Sequence, residues 1–156
     1  MAGRVRKWLA SDRRTKLLLL EAYWYLGWAR IVKAMPFSKV APSLGVAMEE
    51  TAYVSSPGHE ETARMISRTL RIMSRYTLWE SKCMVMAIAG MKMMEKRGIE
   101  STLYLGTKKD DSGKMSAHAW LRAGAFYATG AEIMNQYTVV AMFANDATVF
   151  KGERMG

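Results

Sequence analysis

The hydrophobic period of this chain changes once, near Gly98, and that change restricts the folds open to it. Before Gly98 apolar residues recur at spacings of three and four, the repeat of helices with one buried face. After it they fall in short runs rich in Val, Thr and aromatic residues, the repeat of strands. Helices followed by strands predict an α+β fold in which N-terminal helices pack on a small antiparallel sheet. The length of 156 residues suffices for one core and is read as a single domain, 1–156, with a helical arm over about 11–76 and a helix plus sheet over about 81–145. Half the residues are apolar, a quarter are charged and three are proline, which excludes disordered and collagen-like chains.

Start and stop signals place the elements. Ser11 is expected to cap a helix with Asp12 in its first turn, buried or interfacial, whose length carries Leu17, Leu20, Trp24, Leu26, Trp28, Ile31 and Val32, until Pro36 and Pro42 end it. Residues 35–57, with two internal prolines, read as an irregular arm containing a short helical turn near Val46 to Glu50. Ser56 as cap, Pro57 at the first helical position and Glu60 and Glu61 early in the helix start a second one, running to about Tyr76. Its Ala63, Ile66, Leu70 and Met73 are expected to bury, while Arg64, Arg68, Arg71 and Arg75 line another side. That stripe is either a solvated face or a docking surface for an acidic peptide or partner; no aromatic residue alternates with the arginines, which weakens a nucleic-acid reading. Ser81 is the natural cap of a third helix, which carries Cys83 in its first turn and stops at Gly98. Strands are expected over Ile99 to Leu105, Met115 to Arg122, Phe126 to Thr129 and Tyr137 to Phe143, with turns at 110–113 and at Gly124; Lys151 to Gly156 read as a tail.

Charge and cysteine content limit the function. Lys and Arg number 23 against 14 acids, a formal charge of +9 that implies an acidic partner. A single cysteine allows no intrachain disulfide, and no signal peptide follows the basic start, so a cytoplasmic location is expected. The apolar stretch Leu17 to Met35 is interrupted by Glu21 and Arg30, so no membrane span is expected; a membrane contact is not expected either, though the basic start, Arg4 to Lys16, leaves anionic lipid open as a contact. Cys83, His59 and His118 do not make a zinc ligand set, and no phosphate-loop motif occurs, so no cofactor is expected in this chain.

Cys83 is the one residue whose setting suggests covalent chemistry. Unpaired N–H groups and the positive end of the dipole favour negative charge at a helix start, and the same groups suit the oxyanion of a tetrahedral intermediate. Its plain alternative is a small buried hydrophobe. His118 shares a strand face with Trp120 and Arg122, while Ala117, Ala119 and Leu121 point the other way, so it sits on a sheet able to pack beside the Cys83 helix. Trp120 is expected to wall a cleft, and Trp79, one turn before Cys83, to shield the sulfur or to fill core. His59 has no comparable setting, so if a base for Cys83 exists it is His118.

Ser81-Lys82-Cys83 opening a helix, the strand Gly98 to Gly106, Ala117-His118-Ala119-Trp120-Leu121 and Tyr127-Ala128-Thr129-Gly130 together resemble the lasso peptide leader peptidases, over about Leu17 to Phe143. The resemblance implies a transglutaminase-like, papain-related fold with the catalytic cysteine at a helix N-terminus. It implies a cysteine peptidase that removes the leader from a ribosomally made precursor peptide, Cys83 as nucleophile and His118 as general base and acid. The implied partners are the precursor, a leader-binding recognition protein and a lasso cyclase; ATP is expected only at the cyclase, and no nucleic acid. Beside anionic lipid, the basic start, Arg4 to Lys16, leaves the cyclase and the leader-binding partner open as contacts. Members of that family commonly place an aspartate on the strand after the histidine. Ala125, Tyr127 and Thr129 occupy that strand here, and the nearest acid, Glu132, is named as third member with Asn135 behind it. Two alternatives remain at this stage: acyl transfer to an amine by the same pair, and a non-catalytic basic module that binds acidic peptide or nucleic acid.

Overall fold

The computed structural model describes residues 12–78 and 82–146. Among the described residues, four helices, α1 (Arg13–Ala34), α2 (Phe37–Leu44), α3 (Pro57–Met73) and α4 (Cys83–Lys96), accompany strands β1 (Val46–Ala47), β2 (Ser101–Lys109), β3 (Met115–Ala123), β4 (Phe126–Thr129) and β5 (Thr138–Asn145). A 3-10 helix (Ala131–Gln136) joins the last two strands. The sheet is antiparallel, in the order β1-β5-β2-β3-β4, which is the α+β class read from the change of period.

α4 is the central helix. Val85, Ala87, Ile88, Ala89, Met91, Met93 and Met94 bury nearly its whole circumference, as suits a helix wedged between a sheet and other helices. It lies on β2, β3 and β4, with α1 and α3 against its other sides. Gly90 permits the close approach: a Cβ there would fall 2.9 Å from Leu121 Cδ2.

Asp12, not the expected Ser11, is the N-cap of α1, its side chain accepting from Thr15 N; Ser11 lies outside the described residues. Leu18, Ala22, Leu26, Ala29 and Val32 of α1 face inward, while Leu17, Leu20, Trp24 and Ile31 are exposed. The helix is apolar on nearly every side, so periodicity alone did not choose a face. The small Ala22 and Ala29 do, because they let α1 approach α4 and α3.

Further corrections concern residues 35–57. A helix, α2, stands where irregular chain was expected; Pro36 is its N-cap, Pro42 falls in its last turns, and buried Val40 and Leu44 hold it against β1 and β5. Val46 and Ala47 form an edge strand instead of a helical turn. By contrast α3 starts as its signals require, with Ser56 accepting from His59 N and Pro57 at the first position. Strand β2 runs on to Lys109 and β5 to Asn145, both longer than expected.

An ion pair fastens the C-terminal end of α4 to α1. Arg97 donates to both Glu21 oxygens at 2.7 Å, and this hydrogen bonding, ahead of the charge attraction itself, holds the Glu21 carboxyl below its ordinary value of 4.5. A group with a depressed pKa contributes stability that is present above its unfolded value and is lost as pH falls through the folded one. Thermal melts from pH 7 to 3 should therefore show Glu21→Gln less stable at neutral pH and converging on the parent below about 4.5. A constant difference across that range would remove the ion pair as the cause.

The sheet face turned away from α4 is closed by the segment 48–56. Arg122, fully buried, donates Nε to Tyr104 Oη (2.9 Å), Nη1 to Ala52 O (3.1 Å) and Gly124 O (2.7 Å), and Nη2 to Thr51 O (2.9 Å) and Thr102 Oγ1 (3.3 Å). Its guanidinium also stacks 3.6 Å from the Tyr53 ring. Tyr104 in turn donates to Glu50 (2.8 Å), and burial holds its phenol protonated well above the ordinary range.

Candidate active site

Cys83 is the first residue of α4 and follows the N-cap Lys82, whose side chain makes no capping bond. The expected cap Ser81, and Trp79, lie outside the described residues. Among the described residues no side chain caps the first N–H groups of α4, which point as donors toward an anion beside the sulfur. Cys83 is half-buried against the core.

His118 is 8% exposed and held by three groups. Its ring stacks on Trp120 (centroids 5.7 Å apart), lies 5.1 Å from the Tyr137 ring, and approaches Gly130 O with Nε2 at 2.7 Å. A carbonyl oxygen only accepts, so Nε2 carries a proton, and in the neutral ring Nδ1 then holds the lone pair a general base requires. Trp120, expected as a cleft wall, is instead buried between Tyr104 and His118, its ring 5.6 Å from that of Tyr104.

The group that orients the imidazole is thus main-chain. Glu132 and Asn135 are exposed on the 3-10 helix, and among the described residues neither bonds to His118. Gly130 brings its carbonyl there because β4 ends at Thr129 and the glycine adopts φ +71°; a Cβ on it would lie 2.5 Å from Ala119 O. Sequence reasoning searched for a carboxylate and passed over this position, since every residue has a carbonyl; the glycine closing Tyr127 to Thr129 was the available signal.

The contact between Gly90 and Leu121 relates the two reactive groups. From it Cys83 lies seven residues back along α4 and His118 three residues back along β3, about 10 Å in each case, both away from the end where α4 leads into β2 at Ser101. The side chains start from different faces. Leu121 faces α4, whereas His118, Trp120 and Arg122 alternate to the opposite face, and no hydrogen bond joins Sγ to the ring. Before Leu121 the outer edge of β3 pairs with no strand among the described residues, since β4 pairs only with Leu121 to Ala123. Of the named residues the structure brings Cys83 and His118 to one end of the sheet; Glu132 does not join them in a bonded triad.

Helices stand before an antiparallel sheet, with a cysteine opening the central helix and a histidine on the second long strand. The family model of the transglutaminase-like superfamily matches residues 22–142, and the chain belongs to that superfamily. No curated protein and no solved structure matches it. Among the described residues no helix is long and apolar enough to cross a membrane.

Proposed function

We propose that this protein is a cysteine peptidase that cuts the leader from a ribosomally made lasso peptide precursor. The observation that carries the reading is the Gly130 carbonyl on His118 Nε2, which leaves Nδ1 as a base at the same end of the sheet as Cys83. Membership of the transglutaminase-like superfamily supports thiol acyl chemistry. In this reading peptide binding brings Sγ and His118 Nδ1 together around the edge of β3, and the Cys83 proton passes to Nδ1. The thiolate attacks the carbonyl carbon at the leader–core junction, and the first N–H groups of α4 hold the oxyanion. His118 returns the proton to the departing amine, which frees the core peptide. Water, deprotonated by His118, then attacks the thioester, releasing the leader as an acid and restoring the thiol. A leader-binding protein presents the precursor, and a separate cyclase consumes the new amine.

Incubation of the purified protein with the precursor, with and without its leader-binding partner, tests this by mass spectrometry. A leader fragment heavier by one water supports hydrolysis; a leader joined to an amine assigns transfer, and an intact precursor in both mixtures discards the peptidase. Gly130 is a positioning residue in this scheme. Gly130→Ala puts a Cβ 3.0 Å from Nε2 and forces a left-handed backbone on alanine, so kcat should fall about 10- to 100-fold with KM little changed. Unchanged kcat and an unchanged pH–rate profile would show that the carbonyl does not position the ring.

A further inference from the structure

We propose that Arg68, Arg71 and Arg75 form the subsite that holds an acidic stretch of the peptide cut at Cys83, an inference that rests on the peptidase reading. The other cations with stated contacts are engaged within the protein. Arg64 pairs with Glu60 and covers the Phe126 ring, Lys92 pairs with Glu95, Lys96 and Arg97 with Glu21, Lys108 bonds to Gln136, and Arg122 is spent on buried carbonyls. Arg68, Arg71 and Arg75 are exposed, and among the described residues none has an ion pair. The sequence supplies them with no acid, since none occurs from Thr62 to Leu78. Like charges three and four residues apart weaken a helix, and a bound polyanion relieves that repulsion. Apolar side chains border the cations: Ile72 is 41% exposed, Tyr76 50% and Leu78 94%. The surface therefore fits a peptide with both acidic and apolar residues.

The stripe also points at the site. Arg64 lies on Phe126, and Ser67 Oγ donates to Ala128 O, so α3 runs in the same direction as β4. One further turn carries Arg68 and Arg71 toward the end of β4 where Gly130 holds His118. Arg68 and Arg75 stand about 10 Å apart along the axis, which an extended peptide spans in about three residues. The subsite thus selects two carboxylates roughly three residues apart.

The probe is a rhodamine-labelled dodecapeptide with glutamates three residues apart among leucines, titrated by anisotropy into the full-length Cys83→Ala protein. Replacing Arg68, Arg71 and Arg75 together by Gln should weaken binding at least about tenfold with an unchanged melting temperature, and a peptide with Gln for Glu should bind the parent as weakly. Equal binding by parent and triple variant overturns the proposal, as does tighter binding of a single-stranded RNA of the same charge. A second arm uses the active chain and its precursor. There the triple variant should raise KM about tenfold with kcat within twofold. An equal KM removes the subsite alone, whereas a parent that cuts nothing removes the peptidase reading, and the anisotropy still reports whether the stripe binds acidic peptide.

Discussion

Replacing Cys83 by Ala is expected to lower the rate of precursor cleavage at least about 10⁴-fold, a loss of roughly 5 kcal/mol of transition-state stabilisation. The size follows from the covalent step: without sulfur the acyl group has no acceptor, and the donors at the start of α4 polarise a carbonyl that nothing attacks. His118→Gln should cost about as much, because nucleophile and base act as one unit, and the double variant should be hardly slower than either single one. The Cys83→Ala protein should melt as the parent does, since Cys83 is half-buried and among the described residues forms no side-chain hydrogen bond, whereas His118→Gln also gives up the ring contacts with Trp120 and Tyr137 and should melt lower. Single-turnover assays followed by mass spectrometry measure the loss. A Cys83→Ala protein that still cuts within tenfold of the parent would sink the mechanism.

The largest loss of stability is expected at Arg122. Arg122→Ala removes a buried cation and strips donors from Thr51 O, Ala52 O, Gly124 O and Tyr104 Oη at once. Breaking such a buried network by deleting one member costs about 3 to 5 kcal/mol, which in a chain of this length lowers the melting temperature by on the order of 10 °C. Arg122→Lys should recover little, because an ammonium does not reproduce a planar fork reaching both the 48–56 segment and the β3–β4 turn. Circular-dichroism melts check the size of the effect, and limited proteolysis should place the new cuts within 48–56. A lysine variant that melts with the parent would show that charge alone sufficed.

The α+β class was legible because period and turn chemistry agree. Ser56 and Pro57 start α3 as their residue types demand, and Asp110 to Gly113 with Gly124 set the turns around β3. What failed has a physical cause in each case. Apolar residues all round α1 hid which stripe faces inward, and small Ala22 and Ala29 decided it. Two prolines disguised α2, which survives because Val40 and Leu44 are buried. Arg122 was read correctly onto the face of His118, yet a strand arginine reads as solvent-facing until the carbonyls of 48–56 are seen around it. The histidine's face was legible from alternation, but its support was not: a search among Glu132 and Asn135 looked at side chains, while the contact is made by backbone.

That backbone partner gives the reactive ring an unusual kind of permanence. An amide oxygen neither ionises in the physiological range nor disappears with a coding change, so acidification switches off no orienting group. Replacing Glu132 would accordingly leave the ring's support in place, and the direct way to disturb that support is to bend the peptide that presents it.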